Sequence, residues 1–129
     1  MYAGWHFSAD KVGCASLVEL LGIMSQLKSP AHRTLTVTDP RNVRAGRIFG
    51  DHDLKLDVPA KLRLGNAIGQ SAGIRFSSDV FSMMLGKADI ASLSGAVIDV
   101  SLNRADFGLS FGEDATIINF WWWPEQRRA

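Results

Sequence analysis

The sequence predicts an α+β domain, and three observations predict it. Apolar residues between Cys14 and Leu27 recur every three or four positions, the spacing of one helix face. Beyond Pro30 the hydrophobic pattern is almost wholly of period two, as in strands that bury one side. A terminal run, Thr116-Ile-Ile-Asn-Phe-Trp-Trp-Trp-Pro124, reads as a further strand rich in large aromatics. The expected architecture is an N-terminal strand-helix-strand followed by a mostly antiparallel sheet of about seven strands. One main helix packs on the sheet, and residues 1–129 form a single domain.

Residues 3–8 predict a short first strand with Trp5 and Phe7 on one face and His6 on the other. Ser8 or Asp10 is placed to cap the helix that follows. Cys14, Leu17, Val18, Leu21, Met24 and Leu27 form its apolar stripe, widened by Leu20 and Ile23. Ser29-Pro30 ends it, because the proline ring disfavours helical geometry in the residue before it. Leu35 and Val37 then alternate with Thr34, Thr36 and Thr38 in a β-branched strand closed by Asp39-Pro40.

Every even position from 54 to 64 is apolar, Val58 and Ala60 on either side of Pro59 included, so a long strand is expected there. Pro59 has no N–H to give a ladder and assigns this strand to an edge or a bulge. Ile74 and Phe76, the turn Ser77-Ser78-Asp79, and Val80 to Leu85 make one hairpin. Gly86-Lys-Ala-Asp89 and Leu93-Ser-Gly95 read as turns, and Ile98, Val100 and Leu102 as an alternating strand. Phe107, Leu109 and Phe111 give another strand, Gly112-Glu-Asp-Ala115 a hairpin loop, and the aromatic run the last member of a three-strand meander. In that last strand Ile118, Phe120 and Trp122 share one side, while Ile117, Asn119, Trp121 and Trp123 share the other, which needs a cover from this chain or a partner.

The composition narrows the function classes. With 14 Lys plus Arg against 13 Asp plus Glu, the net charge of +1 gives no global field for phosphate backbones, so no direct nucleic-acid binding is expected. A local basic patch stays open. The single cysteine, Cys14, cannot form an internal disulfide, and the N-terminal residues lack the basic start and apolar stretch of a signal peptide. No stretch approaches the roughly 20 apolar residues that span a bilayer. A cytoplasmic protein without membrane contact is therefore expected.

Asp51-His52-Asp53, with Asp57 four residues on, is the densest cluster of ionisable groups. On a strand the three aspartates would share a face and His52 would oppose them, which does not converge as a metal or acid/base site. The default is a solvated turn before the long strand, and among functional readings they fit better as an acidic edge that meets a basic cleft. Arg41, Arg44 and Arg47 punctuate a loop but bring neither a P-loop nor a dinucleotide fingerprint. Cys14 and the histidines His6, His32 and His52 allow a Cys/His pair only if the fold unites them, and Cys14 sits on the apolar helix face, where thiols are inert. No catalytic residue, metal site or cofactor is expected, and the chain is read as a non-enzyme.

The second half, Ile74-Arg-Phe-Ser-Ser-Asp-Val-Phe-Ser-Met-Met-Leu85 then Gly95-Ala-Val-Ile-Asp-Val-Ser-Leu-Asn-Arg-Ala-Asp-Phe-Gly-Leu-Ser-Phe-Gly112 and the aromatic strand, resembles a strand pattern of bacterial immunity proteins. Those proteins guard against polymorphic toxins, including those of contact-dependent growth inhibition. The resemblance covers roughly 50 residues and transfers no residue role. It implies a stoichiometric inhibitor that blocks the active site of a cognate toxin, often a nuclease. On that reading Asp51, Asp53 and Asp57 meet a basic cleft, and Trp121 and Trp123 anchor the contact. Two rival readings stand beside it. One is a small enzyme or ligand binder with an apolar pocket lined by Trp5, Phe76, Phe81, Met83 and Met84. The other is an assembly subunit, or homo-oligomer, joined through the edge of strand 54–64.

Overall fold

A computed structural model describes residues 5–37, 58–104, 107–112 and 115–121. These residues form seven strands and two helices: β1 (Trp5–Phe7), α1 (Lys11–Gln26), β2 (His32–Thr36), β3 (Lys61–Asn66), β4 (Gly73–Ser77), β5 (Val80–Leu85), α2 (Lys87–Ser101), β6 (Phe107–Phe111) and β7 (Thr116–Phe120). The class is α+β, but the strands divide into two mixed sheets, ordered β1-β7-β6 and β2-β3-β5-β4. Pairs β1–β7 and β3–β5 are parallel. The strand-helix-strand order opens the chain as expected, yet β1 and β2 belong to different sheets.

Helix α1 follows from its sequence. The Asp10 carboxylate accepts a hydrogen bond from the Gly13 N–H at 2.7 Å, satisfying one of the orphan donors of the first turn. Cys14, Leu17, Leu21 and Met24 are buried at spacings of three and four. Leu27 leaves helical geometry at ψ 142°, before Ser29-Pro30.

Residues 87–101 depart from the expected turns and strand: they form α2, so the described residues hold two helices and no meander of three. Its buried positions are Ile90, Leu93, Ala96, Val97 and Val100, a helical stripe. The alternation of Ile98, Val100 and Leu102 is misleading because Ile98 and Leu102 are 42% and 52% exposed; only Val100 faces the core. The helix closes on Asn103 in the left-handed region at φ 58°. Arg104 N–H reaches the Asp99 carbonyl at 2.8 Å and Asn103 N–H the Val100 carbonyl at 3.2 Å, a Schellman ending with Asn in the position glycine usually takes.

The long strand also needs correction. It begins at Lys61, after Pro59, and β3 lies between β2 and β5. It is interior, so its described part offers no edge for sheet extension. Pro59 is compatible with this because it precedes the ladder. At the far end, buried Asn66 accepts from the Ala31 N–H at 2.9 Å and donates to the Ser29 carbonyl at 3.0 Å. One amide thus satisfies two backbone groups of the connection from α1 to β2. The β4–β5 hairpin forms as expected, with Ser78 and Asp79 at φ 52° and 64° in a two-residue loop of the type I′ kind.

A single hydrophobic cluster takes Leu64, Phe81, Met83 and Leu85 from the larger sheet, Phe111, Ile118 and Phe120 from the smaller, and the buried stripes of both helices. The helices pack on each other and on the inner side of the sheets. Trp5 on β1 packs edge-on against Phe76 of β4 and Phe81 of β5, with ring centroids 5.1 and 4.5 Å apart. Side chains, and not a backbone ladder, join the edge of one sheet to the edge of the other.

Candidate functional site

Strand β7 alternates as its sequence requires. Ile118 and Phe120 point into the core, and Ile117 is 49% exposed on the opposite side. In register, His6, Asn119 and Gly108 form one row across β1, β7 and β6, with Ile117 and Ser110 in the next. The Asn119 amide donates to the Trp5 carbonyl at 3.3 Å. A Cβ on Gly108 would lie 2.9 Å from Asn119 Oδ1, so glycine makes room for that amide.

Trp121 follows β7 directly. Its backbone N–H donates to the Phe7 carbonyl at 3.0 Å, extending the parallel ladder to β1 by one bond. Its indole Nε1–H donates to His6 Nδ1 at 2.8 Å, and the two rings lie within 24° of parallel with centroids 5.8 Å apart. That separation and bond place the rings side by side. Because Nδ1 accepts, neutral His6 carries its ring proton on Nε2. Trp121 is half-buried, held by backbone and side chain together beside exposed His6, on the face where Ile117 is exposed about 13 Å further back along the strand. The sequence placed Trp121 on the same face as Ile117 and Asn119, and His6 opposite Trp5 and Phe7. It gave no sign that these two faces are one, because residues 115 apart meet only through β1–β7 pairing.

Of the other predicted partner-binding residues, Asp51, Asp53, Asp57 and Trp123 lie outside the described residues, as do Arg41, Arg44, Arg47 and His52. Cys14 forms no pair with His6 or His32: its thiol donates to the Ala9 carbonyl at 3.5 Å, His6 accepts from Trp121, and His32 lies 3.4 Å from Arg63. Burial, reinforced by the nearby Asp10 carboxylate, pushes the Cys14 pKa up to about 11, which suppresses the thiolate a nucleophile needs. Of the five supposed pocket residues, Phe76, Phe81 and Met83 share the inner face of the larger sheet with the Trp5 ring packed against it, and Met84 does not. Met83 is in the core while Met84, next to it on β5, faces the other way, and the Trp5, Phe76 and Phe81 rings pack on one another.

A groove of about 530 Å³ lies between α1 and α2, lined mainly by Cys14, Ala15, Val18, Ile98 and Leu102, with Lys11 and Glu19 at its rim. It is apolar and open, with no group activated for chemistry. Among the described residues no three His, Cys, Asp or Glu side chains gather as a metal site, and no helix is long and apolar enough to cross a membrane. Compared with known protein families, curated proteins and solved structures, the chain matches none.

Proposed function

We propose that this chain is a cytoplasmic immunity protein, which binds one cognate bacterial toxin, a nuclease by preference, and blocks its active site without turnover of its own. The sequence pattern of the second half raised this reading, but the meander it expected is not formed, since residues 87–101 are α2; the observation that carries the reading is the presentation of Trp121. A large amphipathic side chain, fixed by a hydrogen bond to His6 on the sheet face that also carries exposed Ile117, has the chemistry of an interface anchor. Fixing the ring before contact lowers the ordering cost on binding. Asp51, Asp53 and Asp57 supply the acidic edge that would steer the protein to a basic cleft, with Trp123 as a second anchor.

The test is co-expression and calorimetric titration with the product of the gene immediately upstream. Trp121→Ala should weaken binding by more than 2 kcal/mol, roughly thirtyfold, while the circular dichroism spectrum stays that of the parent. Asp51→Lys with Asp53→Lys should slow association and reduce its dependence on salt. Wild-type protein that neither binds that product nor protects cells expressing it would remove the immunity reading. Unchanged affinity in the Trp121 variant would remove the anchor from it.

A further inference from the structure

The outer face of the larger sheet carries a charge pattern that the net charge conceals. Strand register sets Thr34, Arg63, Ser82 and Arg75 in one row across β2, β3, β5 and β4. The next row toward the β4–β5 turn is Thr36, Lys61, Val80 and Ser77, and the one on the other side is His32, Gly65, Met84 and Gly73. Opposite residues share a face, and Leu64, Met83 and Ile74 lie on the inner one, so these three rows face outward. Lys61, Arg63, Arg75, His32, Thr34, Thr36 and Ser77 are exposed.

We infer that this face binds the phosphodiester backbone of a nucleic acid, without reading its bases. Three permanent cations and four hydroxyls are interleaved, and both groups are standard phosphate partners. Arg63 and Arg75 are two strands apart, about 9.6 Å, and Lys61 and Arg63 two residues apart, about 6.6 Å, so a single extended backbone can touch all three. Among the described residues these cations meet no carboxylate: Lys61 donates to Thr36 Oγ1 at 3.1 Å and Arg63 contacts His32 Nδ1 at 3.4 Å. The acid nearest by register is Asp79, in the β4–β5 turn at one end. Acids lie instead along the helices, at Glu19, Asp89 and Asp99.

An acidic protein surface shares this charge complementarity, but the face suits it less well. Protein interfaces draw their affinity from a desolvated apolar or aromatic centre. Here no aromatic stands in the three rows, and the middle row, Thr34, Arg63, Ser82 and Arg75, is wholly polar. Backbone binding to phosphates needs no such centre. The lack of stacking aromatics also predicts indifference to base sequence.

The inference stands apart from the inhibitor reading, since it uses neither Trp121 nor the toxin. Its test is fluorescence anisotropy of the purified protein with labelled 20-nucleotide single-stranded and duplex oligomers in 50 mM NaCl. Binding should be indifferent to sequence and weaken with salt, with a log-log slope of about −2 on single strands for three phosphates. Arg63→Gln with Arg75→Gln should weaken it at least tenfold with an unaltered thermal melt, and Trp121→Ala should leave it intact. No binding at 50 mM NaCl, or an equal affinity in the double variant, would overturn the inference. So would displacement by polyglutamate at equal charge, which would assign the face to an acidic polypeptide.

Discussion

Cys14 illustrates how position decides the chemistry of a residue. Its thiol is 1% exposed, donates to the Ala9 carbonyl, and has its pKa raised from 9.0 to about 11. Below both values the thiolate fraction falls by roughly 100-fold relative to an unperturbed cysteine. Iodoacetamide at pH 8 should therefore label the folded protein at least 100-fold more slowly than the urea-unfolded chain, read by mass spectrometry. Equal rates would mean that the thiol is open. The helix-face spacing made this burial legible in the sequence, as it did the alternation of Ile117, Asn119 and Trp121 against Ile118 and Phe120. The bond between Trp121 and His6 was not legible, because local patterns say which face a residue occupies but not which distant strand lies beside it.

Among elements, those with an unambiguous period or turn signal were readable, even though α1 leaves Val12 and Ile23 exposed and β4 leaves Phe76 exposed. Helix α1 and the β4–β5 hairpin follow from spacing and turn chemistry. Helix α2 was hidden by Ile98 and Leu102, apolar residues on its solvent side that imitate a strand around Val100, and by Ser92, Ser94 and Gly95, which resemble a turn. The Asn103 ending was the better signal, since Asn follows helices for the same conformational reason as glycine. The β4–β5 turn still carries strain that sequence can relieve. Asp79 holds φ 64° without being glycine, while its carbonyl accepts from the Ala60 N–H at 3.0 Å, a bond that needs no side chain. Asp79→Gly should raise stability by up to about 1 kcal/mol, the usual left-handed penalty less the entropy glycine adds to the unfolded chain. Urea denaturation checks it; a loss would show that the Asp79 side chain contributes more than the backbone strain costs.

For the molecule as a whole, the decisive arrangement is that two sheets share one core and meet through Trp5. The α+β class was legible, but the division into β1-β7-β6 and β2-β3-β5-β4 was not, because parallel pairing leaves no turn signal in the sequence. Since both sheets contribute to the same cluster, unfolding should be a single transition. Trp5→Ala removes the ring that packs on Phe76 and Phe81 and should cost about 2 to 3 kcal/mol, somewhat below a fully buried Trp because Trp5 is half-exposed. Two separated transitions by calorimetry in the parent protein would mean that the sheets fold independently.

The pairing of β1 with β7 also governs when the chain becomes a protein. Trp5 and Asn119, joined by a hydrogen bond, are 114 positions apart. The smaller sheet has no middle strand until β7 is made, so during synthesis β1 waits unpaired while nearly everything else emerges. Closing so large a loop comes at an entropic cost before the contacts that offset it exist, which makes this sheet the slow step of folding. The face that displays Trp121 is thus assembled last, and a chain stopped before β7 would have α1 and the β4–β5 hairpin but no such face.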